Sequence, residues 1–281
     1  GSDQEPGARF VVRDGALVAW VDGSSPTSPL RLIGAHTDSP NLRLRPRPDL
    51  SSAGVRQLRI EVYGGALWNS WLDRDLGLSG RVAVRGPAGV EHRLVRIDEP
   101  IARIPQLAIH LDRDVNGAGL KLNPQQHLTP VWGVGPVRAG AFADLLASEV
   151  QAGVADVLAW DVMVHDLAAG TLLGRHRELI SSARLDNLVS CWAAVEALRG
   201  DHQPFAATEP PVAVICLFDH EEVGSTSATG ADSSLLATVL ERTVLARGGG
   251  REHLLRALAG SVCASADMAH ALHPNHVERH E

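Results

Sequence analysis

Residues 212–225 read Val212-Ala213-Val214-Ile215-Cys216-Leu217-Phe218-Asp219-His220-Glu221-Glu222-Val223-Gly224-Ser225. Seven apolar residues in a row suit a strand covered on both faces, because a strand with one wet face alternates. The run then ends abruptly in an acid, an imidazole and two more acids. In open α/β sheets, ligands bind just beyond the carboxyl ends of the strands. This one stretch therefore predicts both a fold class, α/β, and the place of a site.

Outward from it the same pattern recurs. Leu30 to Ala35 is a second short apolar run, ending in His36-Thr37-Asp38-Ser39-Pro40, where Pro40 lacks the N–H a strand needs. Ala16 to Val21 reads as a strand closed by Asp22-Gly23. Leu185, Leu188, Val189, Trp192, Val195 and Leu198 fall at helical spacing, with Ser181-Ser182 available as caps and Asp186 at the start. Ser234 to Leu245 and Glu252 to Ala259 read as helices, and Ser261 to Ser265 as a strand that runs into Asp267. Between about 50 and 175 the character changes. Leu58, Ile60 and Val62 alternate with Arg59, Glu61 and Tyr63, and 81–85 and 93–97 behave alike, as in an antiparallel sheet with one wet face. A helix (Ala141 to Val150) and a strand (Asp156 to Val164) complete this block. The expectation is a mostly parallel-sheet α/β domain at 1–48 and 176–281, interrupted by a β-rich insertion at 49–175.

The strand ends gather His36, Asp38, Glu221, Glu222 and Asp267, and Asp186 opens a helix. Imidazole plus carboxylates without thiolates suits a hydrolytic zinc or manganese site rather than a structural zinc knot. A pair of metals would need a shared carboxylate. His36 and Asp38, two apart on an extended segment, face the same way, so Asp38 is placed to take the second ring N–H of a ligating His36. Glu221 and Glu222 point in different directions; one can bind metal while the other stays free as a general base. Taken singly, each motif fits a solvated loop better than a site. Their joint placement at strand ends carries the argument.

Other features exclude more than they assign. The net charge of −7 lacks the basic excess of a nucleic-acid footprint, and the basic set is one Lys (Lys121) and 25 Arg. No apolar run approaches the ~18 residues of a membrane span. The N-terminus does not read as a signal peptide, and Gly1-Ser2 resembles a cloning scar. Cys191, Cys216 and Cys263 lie far apart in apolar stretches and read as small buried hydrophobes in a reducing cytoplasm. Trp68, Trp71 and Trp132 fit an interface or a core equally. Gly248-Gly249-Gly250 reads as a helix stop, and 224–230 as a turn or an anion-binding loop. No Gly-x-Ser-x-Gly elbow supports a serine hydrolase.

Gly34-Ala35-His36-Thr37-Asp38-Ser39-Pro40, Arg184-Leu185-Asp186-Asn187, 219–225 and Ser265-Ala266-Asp267-Met268-Ala269-His270 resemble the aspartyl aminopeptidase family. So do Tyr63-Gly64-Gly65, 72–76 and Leu107-Ala108-Ile109-His110-Leu111, in the right order over nearly the whole chain. The resemblance implies a cytoplasmic metalloaminopeptidase that releases N-terminal Asp or Glu from peptides using two divalent ions, zinc foremost, with manganese or cobalt as alternatives. It implies that His36, Asp186 and Asp267 bind one metal, that Asp186 bridges to a second also held by Glu222, that Glu221 is the general base, and that Asp38 orients His36. It implies an α/β catalytic domain interrupted by a β-rich dimerisation domain, and dimers that build a dodecamer. His110, expected on a strand, would enter the neighbouring subunit's active site and bind the substrate's acidic side chain. The family's last metal ligand is a further His near the end of a longer chain, and an N-terminal helical stretch is also expected but missing. His273, His276 and His280 are not expected to replace that ligand, so residues 1–281 alone should bind at most one metal well. A related two-metal amidohydrolase or deacylase, and an assembly-only subunit with an incomplete site, are the alternatives.

Overall fold

The computed structural model describes residues 7–21, 23, 25–200 and 211–280. Gly1-Ser2, the start of the chain and Asp22 lie outside the described residues. The chain forms two compact units: Gly1–Ser39 with Arg184–Glu281, and Pro40–Ala183. The interior unit thus begins before residue 49 and ends after 175, because the strand that starts at Asn41 pairs along its length within it.

The outer unit opens with β1 (Ala8–Arg13), β2 (Ala16–Val21) and β3 (Leu30–His36). The two-residue link Asp14-Gly15, with Asp14 at φ 52°, makes β1 and β2 an antiparallel hairpin.

The interior unit contributes β4 (Asn41–Ser52), β5 (Val55–Tyr63), β6 (Asp75–Gly86), β7 (Gly89–Arg103), β8 (Val131–Val134) and β9 (Val157–Asp166). All their pairings are antiparallel, and they close into a barrel in the order β4-β5-β8-β7-β6-β9. The expected sheet is therefore a closed barrel, which leaves no open edge. Leu58 and Ile60 point inward with Leu42, Leu76, Leu78, Val82, Val162 and Val164. Tyr63 does not share the wet face of Arg59 and Glu61: it is buried, with the Arg43 guanidinium 4.7 Å from its ring centroid. Two short helices, α1 (Val115–Ala118) and α2 (Pro124–His127), precede α3 (Ala141–Glu149), whose Phe142 is fully buried and lies edge-on to Trp132 and Trp160. Trp68, Trp71 and Trp132 all pack on the barrel core. His110 is not on a strand. Pro105 ends the β7 ladder, and residues Ile109–Leu111 form an exposed 3-10 turn closed by Leu111 N–H donating to the Ala108 carbonyl. A hairpin of β10 (Thr171–Leu173) and β11 (Leu179–Ser181) ends this unit.

The chain returns with α4 (Leu185–Arg199), β12 (Val212–Phe218), α5 (Leu235–Ala246), α6 (Arg251–Ala259) and β13 (Val262–Ser265). The sheet order is β1-β2-β12-β3-β13. The β12–β3 and β3–β13 pairs are parallel and the two involving β2 are antiparallel, so the sheet is mixed rather than mostly parallel. One face of β12 (Val212, Val214, Cys216) packs with Leu240, Val244 and Leu254 of α5 and α6; the other (Ile215, Leu217) packs with Cys191 and Ala194 of α4. That two-sided cover is why the run is continuously apolar.

The buried stripe of α4 is Asn187, Cys191 and Ala194, flanked by Val195 and Leu198, while Leu188 and Trp192 are exposed. Ser181 and Ser182 do not cap α4; its N-cap is Arg184, in the left-handed region, with no side-chain cap bond. β13 is an exposed edge strand, so Cys263 is exposed while Cys191 and Cys216 are buried. Gly248 at φ +77° does stop α5, its N–H donating to the Leu245 carbonyl.

Candidate metal centre

Parallel register brings the ligand segments to one edge of the sheet. His36 at the end of β3 is level with Phe218 on β12, and Gly34 is level with Ser265 on β13. The ladder runs one step further, Thr37 N–H donating to the Phe218 carbonyl at 2.8 Å and Ala266 N–H to the Gly34 carbonyl at 2.7 Å. The residues that follow, Asp38, Asp219–Glu222 and Asp267, must therefore emerge side by side.

His36 is the hub, its side chain 6% exposed. Its Nε2 faces Asp186 Oδ1 at 3.3 Å, Asp267 Oδ1 at 3.4 Å and Glu221 Oε2 at 3.9 Å. Ligand atoms of His36, Asp186 and Glu222 all lie within 4.8 Å of one another. Among the described residues this is the one such group, and His270, His273, His276 and His280 do not join it. His280 instead accepts from the His273 N–H through Nε2 at 3.0 Å. His110 belongs to the interior unit.

Asp38 does something the sequence did not indicate. The Nδ1 of His36 lies 3.0 Å from the main-chain carbonyl of Asp38, and 3.5 Å from its carboxylate. The second ring N–H is thus taken by backbone. The carboxylate accepts instead from the backbone N–H groups of Glu221 and Glu222, each at 3.1 Å. It holds the 3-10 turn Glu221–Val223 on which both glutamates ride.

Other side chains went unassigned in the sequence. Asn187, fully buried, donates from Nδ2 to the Ala266 carbonyl at 2.8 Å, tying the Asp186 segment to the Asp267 segment. Ser39 Oγ donates to the Asp186 carbonyl at 3.1 Å, and Cys191 Sγ to the His36 carbonyl at 3.0 Å. Asn187 follows Asp186 directly, and that adjacency was the one available signal.

The electrostatics suit a divalent cation. Burial, then the nearby Glu221 and Asp38 carboxylates and Asp186, outweigh the opposing pull of His36 and push the Glu222 carboxyl up to about 7. Burial of His36 disfavours its charge, but the Asp38 carbonyl and the carboxylates of Glu221, Asp38 and Asp186 prevail, so its pKa is raised. Carboxylates crowd around one imidazole, and oxygen donors plus one imidazole are the set a zinc-type ion accepts.

Both groups hold their protons more tightly folded than unfolded. Each stabilises the metal-free fold below its unfolded pKa and loses that contribution as pH rises through its folded value. The metal-free chain is expected to lose stability from pH 4.5 through about 7 on account of Glu222, with His36 adding loss above 6.5. Urea midpoints in chelator should fall across that window, and Glu222→Gln should flatten its lower part. An unchanged slope in the variant would contradict the assignment.

Comparison with known proteins bears on this geometry. The family model described as "Aminopeptidase I zinc metalloprotease (M18)" matches residues 2–281. A probable M18 family aminopeptidase 2 of Streptomyces avermitilis is 51% identical over 285 residues, 99% of this chain and 64% of the relative. The chain therefore spans less than two thirds of that relative's length. A structure of an Ape4 and Nbr1 complex matches with TM-score 0.91 and 35% identity, covering 100% of this chain and 58% of that one. A dodecamer of mApe1 from S. cerevisiae matches with TM-score 0.79 and 24% identity, over 98% and 63% of the two chains.

Proposed function

The chain belongs to the M18 family of zinc metalloproteases, and from that membership we propose that the protein is an aminopeptidase that releases N-terminal Asp or Glu from peptides. The observation that carries the reading is the convergence of Asp186, Asp267 and Glu221 on Nε2 of the buried His36, with Glu222 in the same ligand group. His36, Asp186 and Asp267 would hold one ion, and Asp186 and Glu222 a second, zinc foremost and manganese or cobalt in its place. When bound, the ions supply Lewis acidity, making water a nucleophile at neutral pH and polarising the scissile carbonyl. Glu221, its side chain half-exposed, takes the proton of the attacking water and returns it to the departing amine nitrogen. Asp38 keeps Glu221 and Glu222 in place through their backbone. The protein self-associates, as dimers building a dodecamer, and works in the cytoplasm; its three free cysteines accord with a reducing compartment.

His110, on an exposed turn of the interior unit, supplies the acidic preference by entering the neighbouring subunit's site, where its ring N–H donates to the substrate's carboxylate. His110→Phe should then lower kcat/KM on Asp-peptides about tenfold or more, the worth of a hydrogen bond to a charged group, with far less loss on Ala-peptides. Equal losses on both would remove the specificity role.

The direct test is release of N-terminal Asp, Glu and Ala from short peptides by metal-replete protein, with and without chelator. Chelator-sensitive release of the acidic residues is expected. Intact Asp- and Glu-peptides would overturn the reading.

A further inference from the structure

Both glutamates of the centre hang on one loop, and the loop is fastened at a second point besides Asp38. His220 precedes Glu221 in the left-handed region, at φ 62°, and its ring lies against Ser227 and Thr229. Its Nδ1 lies 2.7 Å from Ser227 Oγ and 3.3 Å from Thr229 Oγ1, and the two hydroxyls are 3.4 Å apart. Its Nε2 is 3.6 Å from Asp219 Oδ2. A ring proton on Nε2, facing that carboxylate, leaves Nδ1 to accept from the Ser227 hydroxyl. The backbone closes around the same residue: Ser225 N–H donates to the His220 carbonyl at 2.9 Å, and Asp219 N–H to the Thr229 carbonyl at 3.1 Å. Two glycines permit this packing. A Cβ on Gly230 would sit 2.1 Å from the Ser225 carbonyl oxygen, and one on Gly15 would sit 2.4 Å from the Asp219 carboxylate.

We propose that His220 is a positioning residue for the metal centre: through Nδ1 and the Ser227 hydroxyl it pins the Glu221–Glu222 turn so that Glu222 meets His36 and Asp186. The proposal rests on the metal-centre reading above. His220 is not in the ligand group of His36, Asp186 and Glu222; it acts through the loop. Its ring nitrogen and the Asp38 carboxylate hold the turn from opposite ends, one at the residue before Glu221 and one at the amides of Glu221 and Glu222.

The chemistry sets the variants. Asn places Oδ1 close to where His carries Nδ1, and it tolerates the left-handed region, so His220→Asn keeps the acceptor. His220→Phe keeps the ring and loses the acceptor. Ser227→Ala removes the same bond from the other side with no change at the strained residue. Zinc affinity at the site that uses Glu222 is measured on the purified full-length protein, by competition with a chromophoric chelator. His220→Phe and Ser227→Ala should each weaken it about tenfold or more, the usual cost of losing a partner that orients a ligand. The double variant should be no worse than the weaker single one, because both remove one interaction. His220→Asn should bind near wild type. In metal-free protein, amide hydrogen exchange over residues 221–230 should quicken in His220→Phe and Ser227→Ala and stay slow in His220→Asn.

Wild-type zinc affinity and unchanged exchange in His220→Phe would overturn the proposal. So would equal weakening in His220→Asn and His220→Phe, since that would tie the effect to the imidazole rather than to the acceptor. A wild-type chain that takes up no zinc overturns the metal-centre reading instead, and the exchange measurement, made without metal, still decides the role of His220.

Discussion

Glu221→Gln is expected to lower kcat by about 10²–10⁴-fold, the range for a lost acid–base group, while metal content stays unchanged. Gln keeps the size and one carbonyl oxygen of Glu but cannot accept a proton and return it. Glu221 Oε2 stands 3.9 Å from His36 Nε2, further than Asp186 or Asp267, and its side chain is 47% exposed, as a group that exchanges protons with a substrate must be. Glu222 is less exposed and belongs to the three-residue ligand group. Glu222→Gln should therefore release metal first and lose activity as a consequence. Metal analysis on both variants separates the roles. Equal metal loss in the two would show that the adjacent glutamates do not divide the work in this way.

The outline of this arrangement was legible because burial writes itself into local sequence. β12 is covered by α5 and α6 on one face and α4 on the other, and its seven apolar residues say so. The acids that follow it, and those after β3, were readable for the same reason: a buried strand that ends in charge ends at solvent. Facts set by distant pairing were not readable. Alternation in β5, β6 and β7 shows one buried face, but whether six strands close into a barrel depends on β4 meeting β9, over a hundred residues apart. In α4 two apolar stripes compete at helical spacing, and packing chose Asn187, Cys191 and Ala194 over Leu188 and Trp192. The polar Asn187 carries no local signal of its burial, because its bond is to Ala266, 79 residues away. At His110 the two flanking apolar residues fit a strand as well as the exposed turn that the chain forms.

Asp38→Ala carries the other large expected effect, and it tests what the carboxylate is for. An orienting role toward His36 predicts a loosened imidazole. The structure assigns that bond to the Asp38 main-chain carbonyl, 3.0 Å from Nδ1, which the substitution leaves in place. What Asp38→Ala removes is the acceptor for two backbone N–H groups, those of Glu221 and Glu222, beside a side chain only 7% exposed. Each orphaned donor costs about 1–3 kcal/mol if it stays dry. The turn should relieve that cost by shifting, and both glutamates move with it. kcat/KM should then fall by about 10²-fold or more, since partners one step removed from a metal already cost 10–100-fold and here the base is displaced as well. In protein loaded with both ions, the one at His36, Asp186 and Asp267 should survive and the one that uses Glu222 should weaken, so metal per chain drops without reaching zero. Adding Glu221→Gln to Asp38→Ala should cost far less in kcat than it does alone, because the base is already out of place. Fully additive losses with normal metal content would return Asp38 to the service of His36.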